Sequence, residues 1–313
     1  MSDGVKMATK LIIDTDPGID DAMAIFYAIA NPEIDLLGLT TVFGNVTTPQ
    51  ATRNALFLIE VANVNVPVSS GLHQPRSLPS FPPSSNVHGD EGFGPLQFIE
   101  PKGQPITENA PEFLVRMAKE HRGEIILCAI GPLTNVAAAI DIDPNFCQNL
   151  KGIVIMGGSL AVGGNITAAA EANIYHDPHA AEHVFKYGCN ITLVGLDVTD
   201  RVICSRQYFK ELAVESPHIG GILNKMTDFY INFYESIGKI NGCSLHDPSA
   251  LVACVNEDFF ESTPHKLRVV LSGDRIGETV SDKNSVRADV DVCIDVNVSG
   301  VKDNFFSNVA KLN

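Results

Sequence analysis

Tryptophan is absent from this 313-residue chain, so aromatic stacking on any ligand falls to its Phe, Tyr or His residues. Cysteine is thinly scattered: the seven residues, at positions 128, 147, 189, 204, 243, 254 and 293, form no CxxC pair and have mostly apolar neighbours. That pattern argues against a zinc site and predicts reduced core thiols rather than disulfides. Long apolar runs are missing too. Met1 to Lys10 is polar, and the apolar run after it is too short for a signal-peptide core or a membrane span. A soluble, cytoplasmic protein is expected. Basic residues are outnumbered, with 22 Lys and Arg against 37 Asp and Glu, for a net charge of −15. Such a chain repels nucleic acid and anionic membrane, and suits a neutral or cationic small molecule. With no internal repeat, low-complexity tract or composition shift, residues 1–313 are expected to form a single domain.

What is present is an alternation of short apolar runs and amphipathic stretches. Lys10 to Asp14, Leu36 to Val42, Glu124 to Ile130, Gly152 to Met156 and Asn190 to Leu196 read as buried strands rich in Val, Ile or Leu. Between them Asp21 to Ala30, Thr48 to Ala62, Ala110 to His121, Leu133 to Ile140 and Pro178 to Tyr187 read as helices. Strand and helix in alternation predict an α/β fold, a mainly parallel central sheet flanked by helices. Ser69 to Pro95 is the longest irregular segment and the expected binding loop or lid, with His88 between glycine and valine inside it. A long helical region is expected from Arg206 to Ile240, strands and turns from Lys266 to Val298, and a last helix from Val301.

The most telling stretch is Asp14-Thr15-Asp16-Pro17-Gly18-Ile19-Asp20-Asp21, four carboxylates in one turn after a strand. Helix capping accounts for part of it: Asp16 before Pro17 reads as an N-cap, and Asp20 and Asp21 suit the positive end of the helix. Four carboxylates exceed what capping requires, and their repulsion calls for a cation. An all-oxygen donor set points to Ca²⁺ or Mg²⁺ rather than zinc. His-Asp-Pro occurs twice, at 176–178 and 246–248, and in each copy Asp can cap a helix that opens on Pro. Spacing alone does not separate the two. Gly157-Gly158 and Gly163-Gly164-Asn165 suggest close backbone approach to a ligand, without the Lys or Ser/Thr of a phosphate loop. Glu171-Ala172-Asn173, read as extended, turns two polar side chains to one face, where a diol could bind.

These residues resemble a known family. The turn from Asp14 to Asp21 is similar to the N-terminal signature of the inosine-uridine preferring nucleoside hydrolases. Thr40 to Thr47, Arg53-Asn54-Ala55, Val87-His88-Gly89, Gly131 to Asn135, Met156-Gly157-Gly158, Gly164-Asn165, Glu171-Ala172-Asn173 and His246-Asp247-Pro248 follow in the family's order. The resemblance implies a Rossmann-like nucleoside hydrolase fold and a Ca²⁺-dependent N-glycosidase of purine and pyrimidine salvage, which splits ribonucleosides into ribose and base. It implies Ca²⁺ ligands at Asp16, Asp21 and Asp247 and at the Ile130 carbonyl, with Asp16 also the general base. Asp20, Asn45, Asn165, Glu171, Asn173 and Asp247 correspond to substrate contacts, His88 to a position near the ribose or base, and Tyr234 to a base-side aromatic. His246 corresponds to the leaving-group acid, a role suited to a histidine titrating near neutrality. The second His-Asp-Pro is thereby selected, and the first remains a helix start. Homotetramers or dimers are implied, with no nucleic-acid or membrane partner. Ala172 stands where several members have Phe, and Gly238 where one branch has Arg; these departures bear on base preference alone. Two rival readings are a haloacid-dehalogenase-like phosphatase, with Asp14 as nucleophile, and a non-catalytic nucleoside- or calcium-binding protein. Gly18, the Asp20-Asp21 pair and the lack of a Lys partner weigh against the first; Asp16 together with His246 weighs against the second.

Overall fold

The computed structural model describes residues 7–96, 100–239 and 241–312. Its strands, in chain order, are Thr9–Thr15 (β1), Ile34–Thr41 (β2), Val68–Ser70 (β3), Ile126–Ala129 (β4), Gly152–Met156 (β5) and Ile191–Val194 (β6). Ile203–Cys204 (β7), Cys243–Ser244 (β8), Phe260–His265 (β9), Leu267–Val269 (β10), Thr279–Ser281 (β11) and Val290–Val296 (β12) follow. The helices begin with Ile19–Ala30 (α1), Thr48–Val61 (α2), Ser85–His88 (α3), Ala110–Glu120 (α4), Thr134–Ile142 (α5) and Phe146–Asn149 (α6). They continue with Ala172–His176 (α7), Pro178–Tyr187 (α8), Leu196–Thr199 (α9), Arg206–Glu215 (α10), Ile219–Ser236 (α11), His246–Ala253 (α12) and Val298–Val309 (α13).

Eight strands form the central sheet in the order β3-β2-β1-β4-β5-β6-β12-β9. Every pairing in it is parallel except β12 with β9 at the edge. Alternate residues of β1 feed two cores, Leu11 and Ile13 packing on one face of the sheet and Ile12 on the other. The period-two side-chain pattern makes this possible only because both faces are covered by helices. The chain moves outward from β1 through β2 to β3, then returns to place β4 on the opposite side of β1. Such a reversal opens a crevice at the carboxyl ends of the two strands, where open α/β sheets bind their ligands. Asp16 follows β1 and Ile130 follows β4, so both lie at that crevice.

Several expectations need correction. The long helical region divides into α10 and α11, because Pro217 lacks an N–H and drives Ser216 out of the helical region (φ −125°, ψ 85°). Ile240, its expected end, lies outside the described residues. His88 ends a short helix, and the last helix starts at Val298, where the Asn297 side chain accepts from the Gly300 N–H at 3.0 Å. Cys147 and Cys189 are joined as a disulfide, against the expectation that all seven thiols are reduced. Pattern could not reveal that pair: α6 and the end of α8 bring residues 42 apart in sequence to a Cα separation of 5.0 Å. Cys128, Cys204, Cys243, Cys254 and Cys293 are free and buried, as expected of core thiols. No described helix is long and apolar enough to cross a membrane.

Candidate active site

β1 delivers Asp14 and Asp16 side by side into the crevice, and both are fully buried. Asp14 is a brace: its Oδ1 accepts from Thr40 Oγ1 at 2.6 Å and from Asn135 Nδ2 at 2.8 Å, tying β1 to β2 and α5. Burial outweighs these bonds and pushes its carboxyl up to about 7. Asp16 is clasped by backbone. Its Oδ2 accepts from the Asn45 N–H at 2.6 Å, while its Oδ1 has no partner. Gly44 and Gly131 leave it room, for a Cβ at Gly44 would lie 2.1 Å from Oδ2 and one at Gly131 2.6 Å from Oδ1. Asp16 is not the expected N-cap. Gly18 holds that position, and Asp21 reaches back to accept from the Gly18 N–H at 3.0 Å and the Asp16 N–H at 3.2 Å. Thr15 Oγ1 at 2.5 Å and Asn45 Nδ2 at 3.0 Å complete the Asp21 carboxylate's bonds.

Far along the chain, α12 begins at His246 and points Asp247 at this turn. Carboxylate oxygens of Asp20, Asp21 and Asp247 lie within 4.8 Å of one another, all buried. Burial, then repulsion from Asp20, Asp21, Asp16 and Glu171, drives the Asp247 carboxyl well above its ordinary range. Asp16 is raised in the same way by burial and by Asp21. Such crowding is relieved by a hard cation, and the oxygen donors, with Asp16 Oδ1 and Asp20 Oδ1 unpartnered, suit one. The cluster could therefore hold a metal ion; it unites Asp21 and Asp247 of the expected ligands with Asp20, while Asp16 stands beside it with its Oδ1 free. The Ile130 carbonyl, the expected backbone ligand, accepts from Asn173 Nδ2 at 2.9 Å.

A cavity of about 240 Å³ opens above the cluster. Asp20, Asn45, His88, Ile130, Asn165, Glu171, Asn173 and Asp247 line it, together with Tyr230, Phe233, Tyr234, Asp200, Lys239 and His246. Every site residue picked out from the sequence thus either lines this cavity or, as with Asp16 and Asp21, lies buried in the adjoining turn. Glu171-Ala172-Asn173 is not extended. Glu171 caps α7, accepting from the Asn173 N–H at 2.9 Å, the Ile174 N–H at 3.1 Å and the Gly158 N–H at 2.9 Å, and burial lifts it to about 7. Asn165 is held on its glycine loop as its Oδ1 accepts from the Ala172 N–H at 2.9 Å. His88 Nδ1 accepts from the Ile19 N–H at 3.1 Å and lies 3.9 Å from Asp20 Oδ1, with burial lowering its pKa to about 4. A neutral imidazole is the form that accepts this bond.

In the same cavity His246 is held by both ring nitrogens, Nδ1 2.8 Å from Thr199 Oγ1 and Nε2 2.7 Å from Tyr234 OH. Tyr230 OH donates to Asp20 Oδ2 at 3.3 Å and lies 3.4 Å from Tyr234 OH, so hydroxyls link the carboxylate turn to the His246–Tyr234 pair. Burial lowers the His246 pKa against the opposing pull of Asp20 and Asp200, which departs from the expected titration near neutrality. Tyr230 and Thr199 were missed in the sequence. For Tyr230 a signal existed: it stands four residues before Tyr234, on the same face of α11. The two His-Asp-Pro copies separate cleanly. Asp177 caps α8 by accepting from the Ala180 N–H at 2.9 Å, and also takes Thr134 Oγ1 at 2.8 Å and the Arg76 N–H at 3.0 Å. Asp247 makes no cap and faces the carboxylates.

The family model described as inosine-uridine preferring nucleoside hydrolase matches residues 11–303. A probable uridine nucleosidase of Arabidopsis thaliana is 45% identical over 280 residues, covering 89% of this chain and 87% of that protein. A non-specific ribonucleoside hydrolase of Klebsiella pneumoniae is 38% identical over 299 residues, 94% of this chain and 96% of that protein. Among solved structures, a plant nucleoside hydrolase superposes with a TM-score of 0.93 at 37% identity, over 96% of this chain and 99% of that one. With these matches over a parallel sheet whose switch point carries the carboxylate turn, the chain belongs to the inosine-uridine preferring nucleoside hydrolase family.

Proposed function

We propose that this N-ribosyl hydrolase splits uridine- and inosine-type ribonucleosides into ribose and free base, with Ca²⁺ held by Asp16, Asp21, Asp247 and the Ile130 carbonyl. The observation that carries the reading is one cavity lined both by buried carboxylates, its acidic floor, and by a hydrogen-bonded His246–Tyr234 pair. The relatives named for uridine and for ribonucleosides supply the substrate class.

Bound Ca²⁺ would offset the repulsion that raises the carboxyls, and would orient and acidify the attacking water. Asp16 takes that water's proton on Oδ1, the free oxygen, while the Asn45 N–H keeps Oδ2 fixed. A general base with one anchored and one open oxygen is already aimed. Asp20, Asn45, Asn165, Glu171, Asn173 and Asp247 grip the ribose hydroxyls and hold C1′ in line for attack, with His88 alongside. As the C1′–N bond stretches, positive charge grows on the sugar, and the anionic floor stabilises it. The same floor disfavours a 5′-phosphate, so the substrate is a nucleoside rather than a nucleotide. As the base departs, a protonated His246 gives its Nε2 proton to the Tyr234 hydroxyl, 2.7 Å away, while that hydroxyl passes its own proton to the base, leaving a neutral imidazole and an intact phenol. Thr199 fixes the ring so that Nε2 faces Tyr234.

A reducing-sugar assay over uridine, cytidine, inosine, adenosine, guanosine and their deoxy forms, with and without chelator, tests the reading. Ribonucleosides should release ribose only while Ca²⁺ is present. Ribose release untouched by chelation removes the metal from the mechanism, and binding without any turnover leaves only a nucleoside-binding protein.

A further inference from the structure

Among the described residues, Lys239 is the single lysine or arginine lining the cavity. Its Nζ lies 2.9 Å from Asp200 Oδ1 and 5.5 Å from the centre of the Tyr234 ring, and its backbone N–H donates to the Tyr234 carbonyl at 2.9 Å. The side chains of Lys239 and Asp200 are 46% and 29% exposed, so the pair sits at the rim of the cavity. A nucleoside with its ribose on the carboxylates and its base beside Tyr234 would bring the base edge remote from the sugar to this pair. An ammonium only donates hydrogen bonds and a carboxylate only accepts them. The pair is therefore a donor beside an acceptor, held in fixed order.

We infer that the Lys239–Asp200 pair selects nucleobases whose remote edge is a lactam, a carbonyl beside a ring N–H, over those that carry an amino group there. In uracil and hypoxanthine the carbonyl meets the ammonium and the adjacent N–H meets the carboxylate. Cytosine and adenine present the reverse, an amino donor toward Lys239 and a bare ring nitrogen toward Asp200, which leaves two mismatched contacts. The inference rests on the ribonucleoside reading above and adds to the reaction as well as to binding. When the C1′–N bond breaks, its electron pair stays on the base nitrogen and spreads toward the lactam oxygen. Water supplies hydroxyl to C1′ and a proton to Asp16, while the base gains one proton relayed through Tyr234 from a protonated His246. The Lys239 ammonium faces the oxygen on which negative charge grows.

The test is kcat/KM of the calcium-loaded protein on uridine, cytidine, inosine and adenosine. Wild type should prefer uridine to cytidine and inosine to adenosine. Lys239→Gln should lower kcat/KM on uridine and inosine by roughly 10- to 100-fold, the size of a lost charge-assisted hydrogen bond, and change cytidine and adenosine less than about threefold. Lys239→Arg, which keeps the donor, should recover most of the loss, and the exchange Lys239→Asp with Asp200→Lys should move preference toward the amino bases. An even fall across all four substrates, or no fall, overturns the inference while leaving the hydrolase reading intact. A wild type inert on all four overturns that parent reading, and this one with it.

Discussion

Tyr234→Phe removes one hydroxyl and leaves a ring that is already 5% exposed and packed edge-on against Tyr230 and Phe233. The lost group is the sole described partner of His246 Nε2, at 2.7 Å, inside a site where His246 is 5% exposed. Leaving that ring nitrogen without a partner costs about 1–3 kcal/mol of folding stability, a few degrees in Tm. Catalysis should suffer more. A positioned general acid contributes on the order of 10²- to 10⁴-fold, so kcat on uridine and inosine should drop by about 100-fold or more, with KM moving by less than about threefold because the ribose contacts are untouched. Ribose release is the assay, and p-nitrophenyl riboside is the control. Its leaving group departs as a stable anion and needs no proton, so the variant should process it nearly as fast as wild type. An equal loss on the nitrophenyl substrate would refute the proton-delivery role, and an unchanged rate on nucleosides would remove Tyr234 from the chemistry.

Two further outcomes follow from the buried charges. Asp247→Asn relieves the repulsion among Asp20, Asp21 and Asp16, so after chelation this variant should unfold at a higher temperature than chelated wild type. On adding Ca²⁺ at about 100 times its Kd, wild type should gain about 2.7 kcal/mol and the variant far less; equal gains in a thermal-shift titration would remove Asp247 from the metal site. His176 lies buried against Phe81 and Tyr175, its Nδ1 without a partner, and burial lowers its pKa to about 4 from 6.5. A depressed histidine favours the native state above the unfolded pKa, and that advantage is lost as pH falls from about 6.5 toward 4. His176→Leu should therefore flatten the acid limb of stability by about 2.4 kcal/mol between pH 7 and pH 4.5, at 1.36 kcal/mol per unit, and urea unfolding at those two pH values reads the difference.

The strands and the carboxylate turn were legible because their signals are local. β5 and α8 fall within the bounds expected from periodicity and from Asp-Pro capping, since a fully buried strand and an amphipathic helix carry their pattern residue by residue. The parallel sheet followed from alternation alone. What sequence could not show depends on distant pairings. The Cys147–Cys189 disulfide, the Thr199 hydrogen bond to His246 and the Tyr230 link to Asp20 join residues 42, 47 and 210 apart. The two His-Asp-Pro copies are locally alike, and only the tertiary neighbours, amide donors for Asp177 and carboxylates for Asp247, tell the cap from the member of the carboxylate cluster. His246 titrates below the range assumed for a free imidazole because burial, which no motif encodes, outweighs Asp20 and Asp200. Asp14, whose task the motif left open, ties three elements together through Thr40 and Asn135.

The central claim is that Asp16 activates water against C1′ of a ribonucleoside. Its most direct test is product stoichiometry in phosphate-free buffer with Ca²⁺ present, for wild type and Asp16→Asn, which keeps the size of the side chain. Wild type should release ribose and uracil from uridine in equal amounts, and Asp16→Asn should do so on the order of 10²- to 10⁴-fold more slowly while still folded. Base released without free ribose, or a variant within tenfold of wild type, would contradict the account.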